Sequence, residues 1–271
     1  MARYRSDEGK ITTEEKEALL LIAIDRPDKL NGFTPKMMKE LAEAYSKLEL
    51  GDFRCGILYA EGDNFTAGLD LPEMAPYIRA GKTVISEECV DPFNLRPPLR
   101  RTPLVVAVQG YCYTLGIEVM LAADIVIAAA NTRFSQLEVK RGIMATGGAT
   151  IRMPERSGWG NAMRYLLTGD EFDAETALRL NLIQEIDMWF LVAVMMTVYD
   201  GGKKDIFIWH TPNFESSQTC LDFVENNQAE VYGHLVKQFP NDKLEKLFCV
   251  PEDKLRKFLN HYKQEREGKS L

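Results

Sequence analysis

Gly110-Tyr111-Cys112-Tyr113-Thr114-Leu115-Gly116-Ile117-Glu118-Val119-Met120-Leu121-Ala122-Ala123 is a stretch built for burial that carries a single carboxylate. It reads as a glycine-bearing bend followed by an apolar helix, with Glu118 in the first turn. Leu104 to Val108 before it and Asp124 to Ala130 after it both read as strands. The same plan occurs one unit earlier. Cys55 to Ala60 is strand-like, Gly68 permits a sharp bend within Phe65-Thr66-Ala67-Gly68-Leu69-Asp70, and a helix can begin at Leu71. Alternating strands and helices place the chain in the α/β class, with helices packed on the strands.

Working outward, Leu19 to Ile24 reads as a buried strand ended by Asp25-Arg26-Pro27-Asp28. Thr34-Pro35 is an N-cap with proline at the first helical position, and Met38, Leu41, Tyr45 and Leu48 share one helical face. Pro92 to Pro103 reads as a surface loop, and the Gly142 to Gly148 loop leads to helices around Ile151 and from Asn161 to Leu167.

A second carboxylate, Glu138, follows a short strand in Phe134-Ser135-Gln136-Leu137-Glu138. Apolar surroundings raise a carboxyl pKa toward neutrality, so Glu118 and Glu138 together suggest acid–base chemistry. The plainer reading makes Glu118 a helix-start residue and Glu138 an exposed one. Backbone N–H groups at the Gly68 and Gly116 bends can face a negative oxygen, although turns of this kind are more often structural.

Composition excludes several classes. A chain of 271 residues can bury one large core, or a core with a small appended module. With 33 basic and 40 acidic residues the net charge is −7, which gives no support to nucleic-acid binding. Arg96-Pro97-Pro98-Leu99-Arg100-Arg101 is the one notable basic cluster; a solvated loop is its first reading and a ligand phosphate its second. Five cysteines, at 55, 89, 112, 220 and 249, are odd in number and lack Cys-x-x-Cys spacing, so neither a zinc site nor a disulfide framework is expected. A polar, acid-containing N-terminus and a longest apolar run, Met188 to Val198, too short to cross a bilayer point to a cytoplasmic protein with no membrane role. All three histidines, His210, His234 and His261, lie in the last third, which excludes a histidine-based nucleophile device from the first two thirds and makes a metal site there poor. Gly81-Lys82-Thr83 lacks the earlier glycine of a P-loop, Pro76 standing there, and is set aside.

Five ordered segments resemble the crotonase superfamily of enoyl-CoA hydratases and isomerases: Asp25 through Asn31, Phe65 through Asp70, Pro103 through Asp124, Phe134 through Arg152, and Leu167 through Ala174. They span about residues 15–187. The resemblance implies a spiral of ββα units that binds an acyl-CoA thioester and stabilises an enolate. It implies oxyanion-hole amides at Leu69 and Leu115, and contacts to CoA or substrate from Lys29, Leu30, Ala67, Gly68, Asp70 and Gly116. Glu118 and Glu138 match the two acids of the hydratase branch, Glu118 holding the water and Glu138 giving the proton to C2. An enoyl-CoA hydratase is therefore expected, with a Δ3,Δ2-enoyl-CoA isomerase or a non-catalytic acyl-CoA-binding scaffold as alternatives. No metal and no cofactor beyond the CoA moiety is implied, and a homotrimer or hexamer is.

Two departures from the pattern carry expectations of their own. Leu115 stands where the family has a glycine run, so a φ > 0 geometry is denied to that donor and its side chain should narrow the acyl site. Asn181 replaces a glycine but tolerates the left-handed region. The domain plan is a crotonase-like acyl-CoA-binding core over 1–187 and a divergent region of unknown role over 188–271. In that region Met188 to Tyr199 and Ile206 to Trp209 flank Asp200-Gly201-Gly202 as a hairpin. Leu221, Val224, Tyr232, Leu235 and Phe239 fit one helical face, and Asp253 to Gln264 reads as a charged helix. His210 is read as a surface or packed histidine rather than a catalytic one.

Overall fold

The computed structural model describes residues 8–197, 204–209, 212, 214, 216–252, 254–255 and 259. Two compact units divide the chain, Met1–Ile186 and Asp187–Leu271.

The first unit opens with an antiparallel pair, β1 (Lys10–Lys16) and β2 (Leu19–Asp25), in which Thr13 faces Ile22. β1 went unnoticed in the sequence because Lys-Ile-Thr-Thr-Glu-Glu-Lys has no apolar alternation; it is an edge strand, where charge is tolerated and discourages further pairing. Leu20, Ile22 and Ile24 of β2 are fully buried. Helix α1 (Pro35–Leu50) begins as expected: the Thr34 side chain accepts from Met37 N at 3.2 Å and Pro35 sits in the first turn. Its buried face, Met38, Leu41, Tyr45 and Leu48, covers the sheet so closely that a Cβ on Gly56 would lie 2.5 Å from Leu48 Cδ2. Each buried leucine contributes roughly 1.5–3 kcal/mol.

The remaining elements repeat one plan: β3 (Cys55–Ala60), α2 (Leu71–Arg79), β4 (Leu104–Val108), β5 (Tyr111–Tyr113), α3 (Leu115–Leu121), β6 (Ile125–Ala129), β7 (Arg133–Ser135), α4 (Ala149–Ser157), α5 (Trp159–Thr168), β8 (Phe172–Asp173), α6 (Ala174–Arg179) and β9 (Glu185–Asp187). The large sheet runs β1-β2-β3-β4-β6-β9, with β2, β3, β4 and β6 mutually parallel. A small sheet runs β5-β7-β8. Single bridges extend its logic backward: Phe33 pairs with Leu69, and Thr66 with Cys112, which in turn opposes Phe134. Each turn of the chain therefore gives a strand to the large sheet, a short pairing to the small one, then a helix. This is the spiral of ββα units expected from the resemblance.

The basic cluster at Arg96–Arg101 is an exposed loop, as expected, at every position but Arg100. Arg100 is buried; its guanidinium pairs with Asp124 at 2.9 Å and donates to the carbonyls of Ala122 and Thr102, pinning the proline-rich loop to the end of α3. A buried cation persists only with such partners. Asn181 adopts φ 57°, as its side chain allows.

In the second unit β10 (Trp189–Thr197) is central, pairing antiparallel with β11 (Lys204–Ile208) and with β12 (Asp242–Pro251). The hairpin strands are present, Met196 opposing Lys204, and the expected turn lies outside the described residues. β12 was missed because its first half, Asp-Lys-Leu-Glu-Lys, is charged. The single helical face expected from Leu221 to Phe239 is two helices, α7 (Ser217–Asn226), capped by Ser216 and Thr219, and α8 (Gln228–Gln238). A break at Asn227 takes Leu221 and Tyr232 to the surface and leaves Cys220, Val231 and Leu235 buried against Leu191, Ala193 and Met195. Cys220 and Cys249 form a disulfide joining α7 to β12. It overturns the expectation of no disulfide, and with it the cysteine-based ground for a reducing compartment; pairing across 29 positions has no spacing signature. His210 and most of Asp253–Gln264 lie outside the described residues. Among the described residues no helix is long and apolar enough to cross a membrane.

Candidate active site

The two glycine bends meet at one cavity of about 650 Å³ within the first unit. At the first bend, Gly68 has φ 105°, its N–H donates to the Thr66 hydroxyl at 3.0 Å, and its carbonyl accepts from Phe33 N at 2.8 Å. These bonds turn the chain so that the next amide, that of Leu69, is left over: no described group accepts from it. At the second bend Thr114 N donates to Ser135 O at 2.9 Å, and Thr114 O accepts from Ile117 N and Glu118 N. The Leu115 amide, first in α3, likewise has no acceptor among the described residues. Leu69 and Leu115 both line the cavity.

Leucine at 115 does not have to adopt φ > 0. The positive φ falls one residue earlier, on Thr114 (φ 50°, ψ −111°), and Leu115 is an ordinary helical residue with its side chain buried. The glycine that would relieve strain belongs at 114, because the bend must finish before the helix starts.

Glu118 projects from α3 into the same cavity and is only 5% exposed. Its Oε1 accepts from Gly147 N at 2.6 Å and Ala149 N at 3.2 Å, the start of α4 holding a carboxylate on α3. Burial pushes its pKa up, against the opposing pull of those amides and of Arg152. Gly147 is tightly packed here: a Cβ would stand 2.6 Å from the Phe93 ring and 2.7 Å from Glu118 Oε2, so a larger residue would displace them. Glu138 lies in the short 3-10 turn Leu137–Arg141 and also lines the cavity. Burial raises its pKa to about 7, its own backbone amide opposes this, and the charge of Glu118 adds to the rise. With its amide nitrogen turned toward Glu138, the buried Gln136 side chain donates to both carboxylate oxygens, at 2.7 and 3.1 Å. The two acids therefore share one pocket, and the charge of Glu118 acts on Glu138.

Lys29, Ala67, Gly68 and Asp70 gather at an adjoining cavity of about 300 Å³, which shares Ala67, Leu69 and Leu71 with the first. Asp70 is also the partner of the buried Arg26, at 2.8 Å. Leu30 and Gly116 line neither cavity. Leu30 is exposed while its carbonyl holds Ala67 N at 2.9 Å, and Gly116 is a packing glycine whose Cβ would strike Thr66 Cγ2 at 2.7 Å. Among the described residues no group of three or more His, Cys, Asp or Glu side chains could hold a metal ion. Sequence reasoning missed the amides of Gly147 and Ala149, the Gln136 side chain and Thr114. The Gly147-Gly148 pair was the available signal for the first of these, since Gly148 takes φ 111°.

The wall of the larger cavity is mostly apolar, with Met74, Ile85, Phe93 and Ile143 among its residues and Lys82, Arg96 and Arg141 as its cations. The chain as a whole is similar to a known group of proteins. The crystal structure of a probable enoyl-CoA hydratase/isomerase from Mycobacterium abscessus superposes with a TM-score of 0.64 at 46% identity, covering 66% of this chain and 70% of that one. A probable enoyl-CoA hydratase of Rhodobacter capsulatus is 33% identical over 175 residues, 65% of this chain and 67% of that protein. A 1,2-epoxyphenylacetyl-CoA isomerase of Escherichia coli is 30% identical over 182 residues, 65% of this chain and 69% of that protein. The sequence pattern described as enoyl-CoA hydratase/isomerase matches residues 14–189, and the chain belongs to that family.

Proposed function

We propose that the protein is an enoyl-CoA hydratase, adding water to a 2-enoyl-CoA thioester. The observation that carries this reading is the convergence of Glu118 and Glu138, both buried, on a cavity also lined by Leu69 and Leu115, whose amides have no acceptor among the described residues. In hydration a water oxygen bonds to C3, a proton is delivered to C2, and negative charge gathers on the thioester oxygen between these events. The two amides take up that charge; losing one such donor typically costs about 10²–10³ in rate. Glu118, fixed by two amides, holds the water and accepts its proton. Glu138, protonated up to about neutral pH, supplies the C2 proton. The CoA portion lies toward Lys29 and Ala67, in the adjoining cavity. The electrostatics need no metal and no redox cofactor, and a homotrimer or hexamer is the assembly to test by light scattering.

Double-bond isomerisation needs only one acid to carry a proton between carbons, so fixing a second acid with two amides favours hydration. Loss of conjugated-enone absorbance on mixing purified protein with crotonyl-CoA and longer enoyl-CoAs tests the reading. Glu138→Gln should lower that rate by about 10²–10⁴ with acyl-CoA binding nearly unchanged. Glu118→Gln should damage hydration more than double-bond migration; a parallel fall of both would move water placement to another group.

A further inference from the structure

We propose that the Thr114 hydroxyl is a third donor to the thioester oxygen, beside the Leu69 and Leu115 amides; this rests on the acyl-CoA reading above. Thr114 is the least comfortable residue of the site. At φ 50°, ψ −111° it holds a β-branched side chain where such residues are outliers, and a glycine would sit there without cost. Strain of this kind persists where the surrounding structure enforces it, and it collects at functional sites.

The orientation of the side chain says what the strain achieves. A Cβ built on Gly68 would lie 2.0 Å from Thr114 Oγ1, but 3.3 Å from Thr114 Cβ and 3.7 Å from Cγ2. The oxygen, not the methyl, is thus the part turned to the bend that presents the Leu69 amide. Two hydroxyls of the neighbouring segments are in use: Thr66 donates to Asn31 O at 2.6 Å and Ser135 to Gly169 O at 2.9 Å. The Thr114 hydroxyl has no hydrogen-bond partner among the described residues, and Thr114 lines the cavity together with Leu69 and Leu115. A packing role would be met equally by a methyl group. All three residues line the one cavity, and in the proposed arrangement the Thr114 O–H joins the Leu69 and Leu115 N–H groups around one oxygen. Threonine keeps its proton throughout: it donates a hydrogen bond that strengthens as charge moves from C2 onto the thioester oxygen, while Glu138 alone exchanges the C2 proton.

The test reads the thioester carbonyl directly. Butyryl-CoA labelled at the carbonyl carbon is bound to the full chain and its stretching frequency is compared with that of free butyryl-CoA by difference infrared spectroscopy. The parent should lower the frequency. Thr114→Val should lower it less, with kcat/KM for crotonyl-CoA hydration reduced about 10²-fold, the scale of one lost oxyanion donor. Thr114→Ser should restore both. Thr114→Gly should match the valine variant in frequency yet melt at a higher temperature than the parent, a combination that a purely structural role does not produce. A Thr114→Val or Thr114→Gly protein that polarises the carbonyl as fully as the parent overturns the inference about Thr114 alone. An unshifted carbonyl in the parent overturns the acyl-CoA reading beneath it.

Discussion

At the scale of single residues, the candidate site depends on which groups the fold leaves without partners. Leu69 and Leu115 are apolar residues lining the cavity whose amides have no acceptor among the described residues, because the preceding bends use their neighbours' hydrogen bonds instead. Glu138 gains its raised pKa first from burial and then from the charge of Glu118, and the consequence has a sign. An acid raised to about 7 stays protonated below that pH, so a step that consumes its proton should run fully at pH 6 and fall as pH climbs through about 7. The pH dependence of kcat for crotonyl-CoA hydration checks this; a rate that rises across pH 6 to 8 would contradict the role of Glu138 as acid. The same shift acts on the fold. The native state binds this proton more tightly than the unfolded chain, whose Glu titrates near 4.3, so its contribution to stability is present below that value and is lost as pH rises toward about 7. Glu138→Gln should flatten that loss in denaturant titrations at pH 5 and pH 8.

At the scale of elements, α3 and α4 hold the site between them. α3 carries Glu118, and the start of α4 fixes it through Gly147 and Ala149. Gly147→Ala would put a methyl 2.7 Å from Glu118 Oε2 and 2.6 Å from Phe93, so the carboxylate must move. Displacements of about 1 Å can cost on the order of 10² in rate. The variant should therefore lose roughly that factor in kcat. Steady-state kinetics on the purified variant and the parent decide it. α1 was legible in detail, cap, proline and buried face alike, because an amphipathic helix writes its period into sixteen consecutive residues. β5, β7 and β8 have two or three residues each, too few for any period, and only their pairing defines them.

At the scale of the whole molecule, the first unit is a repeating spiral, and the described part of the second holds a three-stranded sheet whose β12 is tied to α7 by Cys220–Cys249. Closing a loop of 29 residues lowers the entropy of the unfolded chain by an amount worth about 3–4 kcal/mol. Reduction, or Cys220→Ser with Cys249→Ser, should lower the stability of the second unit by that order; amide hydrogen exchange in β10 and β12 would report it, and unchanged protection would show that the link adds nothing. The sequence by itself determined the α/β class, the glycine bends, the ordered family segments and the two acids, because each depends on neighbours within a few residues: a period, a bend or a motif. It could not determine that Arg100 is buried on Asp124, that Cys220 meets Cys249, that the strained residue is Thr114 rather than Leu115, or that Gly147 clamps Glu118. Those facts depend on chain crossings 24 and 29 positions apart, or on where a helix starts relative to a neighbouring strand. Burial and hydrogen-bond completion are settled only when the distant partners arrive.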